Sequence, residues 1–143
     1  MSRTPKLWGC EELIHASEEY WMKKLAWNAN VASSFHYHQT KDETWHVLKG
    51  VARVLLMPIK EKAPRIRSPF AIPNTEIPEL LEKGEIFLDL LSEGDTLHIS
   101  PYMAHQVISG DAGFVVLEAS TKHTDEDVIR LIPSMQNTPD YVR

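Results

Sequence analysis

Cysteine is almost missing from this chain of 143 residues. Cys10 stands alone, so no internal disulfide can form, and a Cys₄ or Cys₂His₂ zinc finger is excluded. Basic charge is also short. Fifteen Lys and Arg face twenty Asp and Glu, a formal charge of −5, which argues against a generic nucleic-acid surface. Long apolar runs are absent; stretches such as Phe114 to Leu117 fall far short of a membrane span. Met1 to Cys10 holds no apolar segment of signal-peptide type, so a cytoplasmic protein is expected, with neither nucleic acid nor membrane as partner. The six glycines and nine prolines form no low-complexity tract, and no internal repeat is evident.

What is present is ordinary for a globular protein, 43% hydrophobic and 24% charged, and a single domain over residues 1–143 is expected. Period-two patterns dominate. Ser34 to His38, Thr44 to Lys49, Val51 to Met57, Ile86 to Leu91, Asp95 to Ile99, His105 to Ser109 and Phe114 to Ala119 read as strands. Lys49-Gly50, Glu93-Gly94-Asp95 and Ser109 to Gly113 read as the turns between them. Short helices are expected near Cys10 to Tyr20, Glu76 to Lys83 and Thr124 to Leu131. The pattern is all-β, a sandwich or barrel. It divides into an N-terminal arm (1–30), a first group of strands (31–58), a Pro-rich connection (59–84), a second group (85–120) and a C-terminal segment (121–143). Five prolines from Pro58 to Pro78, with Lys60, Lys62, Arg65 and Arg67, crowd this part of the chain, which cannot be a central strand because proline lacks the ladder donor.

Chemistry gathers at the histidines. His36 and His38 are two apart on a strand and therefore share a face. Glu43 follows on the next strand, and His105 opens a later one. Three imidazoles and one carboxylate suit a divalent transition metal and leave positions open for water or substrate; Zn, Mn, Fe, Ni and Co all accept such ligands. A His-x-His pair on a surface strand is by itself commonly mere polar decoration. The added spacing to Glu43 and then to Gly50 makes the metal reading sharper.

These residues resemble the cupin family. Its first motif, His-x-His, three or four residues, Glu, six residues, Gly, is matched by His36, His38, Glu43 and Gly50. Its second motif is matched at Gly94 and His105, with Ser100, Tyr102 and Ser109 where Pro, Gly and Asn are usual. The resemblance implies a small antiparallel jelly-roll barrel with one metal in its mouth, held by His36, His38, Glu43 and His105. A narrower resemblance is to the cupin domain of type II mannose-6-phosphate isomerases and to small stand-alone sugar-isomerase-like cupins. It rests on Trp8-Gly9, the strand Trp21 to Leu25, the run His36 to Trp45 with Lys41 at an arginine position, and Asp127-Val128-Ile129-Arg130 near the end.

That narrower resemblance implies a metal-dependent aldose–ketose isomerase acting on a sugar or sugar phosphate. An iron-dependent dioxygenase and a non-enzymatic sugar-binding module are the alternatives. Lys41, Glu118 and Arg130 are the candidate catalytic residues; Trp45 and Tyr102 are the candidate substrate contacts. Glu118 shares strand parity with Phe114 and Val116, so an inward-facing strand would bury its carboxylate and demand a partner. Lys41 can equally be a solvated loop lysine, and Arg130 can equally pair with Glu126 or Asp127 at the surface. His46 has the opposite parity to Glu43 and should point outward, and His98 should be exposed. His15 and His123 have no informative spacing. The N-terminal arm is rich in large apolar residues, Trp8, Leu13, Tyr20, Trp21, Leu25 and Trp27, a composition that fits a homodimer interface or a cover for the chain's own barrel.

Overall fold

The computed structural model describes residues 2–60 and 72–142. Its elements are β1 (Ser2–Lys6), β2 (Gly9–Ala16), β3 (Trp21–Trp27), β4 (Phe35–His38), β5 (Glu43–Pro58), α1 (Ile77–Glu82), β6 (Phe87–Leu91), β7 (Thr96–Ile99), β8 (Met103–Ser120) and β9 (Val128–Ile132). All pairings are antiparallel. The expected all-β, antiparallel architecture is present.

The frame is one long pair. β5 and β8 run together from Glu43↔Ser120 to Pro58↔Met103. At one end β3 flanks β8 and β7 flanks β5, and β1 and β2 extend the sheet beyond β3. At the other end β4 flanks β8, β9 flanks β4, and β6 flanks β5. The two long strands thus pass from one half-sheet to the other, and register shifts at Val47/Lys49 and Gly50/Ala52 mark the bend.

Those shifts change which parity faces inward. Trp45 and Val47 lie in the interior cluster with Leu25, Trp27 and Phe114; after the bend Ala52 and Val54 join the same cluster. Leu55, one residue on, belongs to a second cluster with Phe35, Tyr37, Ile108 and Leu131, where Ile77 of α1 and Ile86 are also buried. The second half-sheet is therefore packed on both faces, and α1 and the C-terminal segment cover its apolar outer one.

Several expectations change. The turns expected at Lys49-Gly50 and Ser109 to Gly113 are irregularities inside the continuous strands β5 and β8. Gly50 has φ +87°, and a β-carbon there would lie 2.2 Å from the Gly113 carbonyl oxygen, so the close crossing of the two strands requires glycine. The helix expected at Cys10 to Tyr20 is strand β2 and the turn that follows it. Its Glu- and Leu-containing sequence tolerates a helix, but two flanking strands claim its backbone groups. The helix expected at Thr124 to Leu131 is a 3₁₀ turn at Asp125–Asp127 followed by β9, whose β-branched residues pair with β4. The helix near Glu76 to Lys83 is present as α1, with Pro78 in its first turn. Residues 61–71, the heart of the Pro-rich connection with Lys62, Arg65 and Arg67, lie outside the described residues. The arm's Trp8, Leu25 and Trp27 are buried in the chain's own interior cluster. Among the described residues no helix is long and apolar enough to cross a membrane.

Candidate metal centre

Two rows of side chains, one from each half-sheet, line a single cavity. In the first row Arg130 of β9, His36 of β4 and His105 of β8 sit at paired positions. In the second, Lys23 of β3, Glu118 of β8 and Trp45 of β5 are likewise in register. All six line a cavity of about 180 Å³, together with His38, Lys41, Glu43 and His123. An open groove of about 730 Å³ lies elsewhere, lined by Asn30, Arg53, Asp111 and Asn137 among others, and shares none of these residues.

One ligand atom from each of His36, His38 and His105 falls within 4.8 Å of the others. Their orientation is set from behind. His105 Nδ1 lies 2.9 Å from the Met103 carbonyl oxygen, and His36 Nδ1 lies 3.1 Å from that of Ser34 and 2.8 Å from its hydroxyl. A carbonyl only accepts, so each Nδ1 carries the proton and each Nε2 keeps a lone pair for a ligand role. Burial lowers the pKa of all three rings, that of His105 to about 4. They are therefore neutral, the form that binds metal.

Glu43 completes the set. Its Oε2 is buried without a hydrogen-bond partner, 3.4 Å from His38 Nε2 and 3.8 Å from His105 Nε2. Burial, then the charge of Glu118, raises the Glu43 pKa well above the ordinary carboxylate value, against the pull of Lys41. His105 Nε2 is also buried and unpartnered. Lone pairs converging on one another in a buried site repel, and a cation among them removes the conflict. The residues present fit a divalent transition metal held by His36, His38, His105 and Glu43.

Beside this set lies a buried ion pair. Lys41 Nζ is 3.1 Å from Glu118 Oε2 and 3.9 Å from Glu43 Oε1. Trp45 donates its indole N–H to Glu43 Oε1 at 2.7 Å and to Glu118 Oε1 at 3.2 Å. Burial alone would lower the Lys41 pKa, but Glu43 and Glu118 overcome it and raise the value. Burial would raise Glu118, yet Lys41 outweighs it and holds the carboxyl below its usual value. The pair is ionised. Lys41 is no solvated loop residue, because Asp127 fastens the turn that carries it. Asp127 Oδ1 accepts from the backbone N–H groups of Gln39 and Thr40 at 3.0 and 2.7 Å, and Oδ2 accepts from that of Lys41 at 3.0 Å.

The profile of the family described as mannose-6-phosphate isomerase C-terminal matches residues 2–103. The chain belongs to this family. No curated protein sequence matches it. Among solved structures it is similar to the capsular polysaccharide assembling protein CapF from Staphylococcus aureus, with 14% identity, TM-score 0.67, and 92% of this chain covering 32% of that one. It is also similar to oxalate decarboxylase from Bacillus subtilis, with 16% identity, TM-score 0.66, and 91% of this chain covering 30% of that one. KdgF from Halomonas sp. is 13% identical with TM-score 0.56, over 82% of this chain and 81% of that one. The chain thus spans about a third of the CapF and oxalate decarboxylase chains, and these likenesses bear on fold alone.

In this member of the mannose-6-phosphate isomerase C-terminal family, His36, His38, Glu43, His105, Lys41, Glu118, Trp45 and Arg130 all line the one cavity. Tyr102 does not. Its ring packs on Tyr37, 5.7 Å between centroids, in the outer cluster, and its backbone takes φ +64°, the conformation for which a glycine is the usual choice. His46 and His98 are exposed, bonded to Thr96 and Asp42. His123 was not legible from spacing, yet it lines the cavity with its ring 5.9 Å from that of His38. Trp8 and the strand of Lys23 carry the family resemblance without a role assigned to them; both residues line the cavity, as do Glu11 and Trp27.

Proposed function

We propose that the protein is a metal-dependent aldose–ketose isomerase of a sugar or sugar phosphate. The observation that carries this reading is the ionised Lys41–Glu118 pair, buried at 3.1 Å beside the three-histidine cluster in a chain of this family. Isomerisation needs a base that takes a proton from the carbon next to a carbonyl and returns it to the neighbouring carbon. It also needs a group that moves the hydroxyl proton between the two oxygens.

Glu118, kept ionised by Lys41, is the base. Lys41, kept cationic by two carboxylates, donates to the substrate oxygen as its negative charge develops and passes the hydroxyl proton from one oxygen to the other. A divalent metal bound at His36, His38, His105 and Glu43 supplies Lewis-acid polarisation of the substrate oxygens. Trp45 holds Glu43 and Glu118 at a fixed separation through its shared N–H. Arg130, at the register position next to His36, offers a guanidinium to an anionic group of the substrate.

The test is proton exchange in deuterated water, with metal-loaded protein and D-mannose, D-mannose 6-phosphate and other hexoses and pentoses. Exchange at the carbon adjacent to the carbonyl, lost in Glu118→Gln with metal retained, is the expected result. Oxygen consumption with an organic substrate and no exchange replaces the reading with an oxidative one. Sugar binding without exchange makes the protein a binding module.

A further inference from the structure

The strands β1–β3 do more than lengthen the sheet. They build one wall of the cavity that holds the histidine cluster, from Lys6, Trp8, Glu11, Lys23 and Trp27. Its centre is Lys23, an ammonium only 4% exposed and nonetheless at the cavity lining. Glu11 Oε1 pairs with Lys23, and Glu11 Oε2 lies 3.6 Å from Lys6 Nζ. Beside this polar row, Trp8 and Trp27 stack with ring centroids 4.5 Å apart at 22°. The aromatic series continues through Trp27 to Trp45 at 5.8 Å, and from Trp45 to His105 at 5.5 Å. The wall is therefore continuous with the metal centre.

A lysine so deeply buried costs free energy unless it is paired and bonded. Apolar packing would have filled the same position of β3 at lower cost. Placing a carboxylate and an ammonium side by side in a cavity gives acceptors and donors at the spacing of neighbouring hydroxyl groups. Placing them beside indole rings adds a flat apolar surface for the C–H face of the same ligand. Charge refines the class. Lys23 is neutralised by Glu11, and Lys41 by Glu118, so the buried part of the wall carries no net positive charge; Lys6 shares Glu11 from the rim, its side chain 37% exposed to solvent. At about 180 Å³ the cavity lies below the usual range for drug-sized ligands and suits a single small ring.

We infer that Glu11, Lys23 and the Trp8–Trp27 stack form a subsite for the uncharged, hydroxyl-bearing part of a single sugar unit, and that a phosphate is not read at this wall. This rests on the proposal that the metal-centre cavity takes a sugar, but not on the reaction carried out there.

The experiment is saturation-transfer NMR and titration calorimetry on metal-loaded protein, with D-mannose and D-mannose 6-phosphate as probes, on the wild type and on Glu11→Gln, Trp8→Leu and Arg130→Gln. The wild type should transfer saturation from indole protons to ring C–H protons of both probes. Glu11→Gln should weaken both probes by the same factor, about tenfold or more, the range for a lost charged hydrogen bond. Trp8→Leu should weaken the indole-to-ring transfer, Trp27 and Trp45 remaining at the cavity, and Arg130→Gln should affect the phosphate alone. Circular dichroism and metal content confirm that each variant is folded and loaded. If the folded variants Glu11→Gln and Trp8→Leu bind both probes as tightly as the wild type, the subsite is wrong while the sugar reading survives. If the phosphate probe alone loses affinity in Glu11→Gln, the assignment to uncharged hydroxyls is wrong. Binding that follows this pattern without any isomerisation sustains the subsite and removes the proposed reaction. If neither probe binds the wild type, both readings fall.

Discussion

Lys41 and Glu118, 77 residues apart in the chain, form an ion pair of 3.1 Å in which each side chain is about 95% buried or more. Removing one partner of such a pair strands a charge, and typical losses are about 3–5 kcal/mol. Glu118→Leu and Lys41→Met should each fall in that range in urea unfolding. The double substitution should cost clearly less than the sum, because no charge is then left alone. Additive losses would show that the pair is not coupled.

The cluster of His36, His38 and His105 makes metal content the second measurable quantity. Protein prepared in metal-supplemented medium should carry close to one equivalent of a divalent transition metal. His105→Ala should reduce that below about a tenth of an equivalent. Chelation of the wild type should lower Tm by about 5–10 °C, the shift expected when a ligand present at a hundred times its Kd is removed. A wild type whose Tm ignores both chelator and added metal would contradict the site.

Gly50 stands where β5 crosses close to Gly113 of β8, at positive φ. Gly50→Ala should lose about 2–3 kcal/mol, combining the unfavourable backbone conformation with the clash against a carbonyl that cannot retreat. Gly94, also at positive φ but with nothing within 4 Å of its added β-carbon, should tolerate alanine better. Equal losses at the two positions would remove the close crossing as the cause.

Acid should weaken the N-terminal wall. Burial would raise the Glu11 pKa, but the hydrogen bond and charge of Lys23 overcome it and leave the carboxyl below its ordinary value of 4.5. A carboxyl with a depressed folded-state pKa contributes stability that is complete above its unfolded value and disappears as the pH falls through the folded value. Urea midpoints taken between about pH 7 and pH 3 should therefore drop less steeply in Glu11→Gln than in the wild type, with the difference confined to below about pH 5. Parallel curves would mean that the pair contributes nothing through ionisation.

What the amino-acid order determined by itself was local. An even separation on a strand means one face, so His36 with His38, Glu43 with Trp45, and Phe114 with Glu118 each point the same way, and the structure places them accordingly. The alternation of short β patterns likewise announced an all-β fold. Tertiary structure decided which strands lie side by side, because backbone hydrogen bonds between strands carry no sequence code of their own. Pairing of β9 with β4 sets Arg130 opposite His36 and turns an expected helix into a strand. Pairing of β3 with β8 sets Lys23 opposite Glu118, making a buried wall residue of a lysine that local pattern leaves unremarkable. The register shifts in β5 and β8 reverse inward parity partway along, which no fixed period can report. Asp127 reaches back 86 residues to the Lys41 backbone, and His123 enters the cavity only because the chain returns over its mouth. Each of these contacts joins segments far apart in sequence, where the deciding energy is burial and hydrogen-bond satisfaction in the folded chain rather than any neighbouring residue's preference.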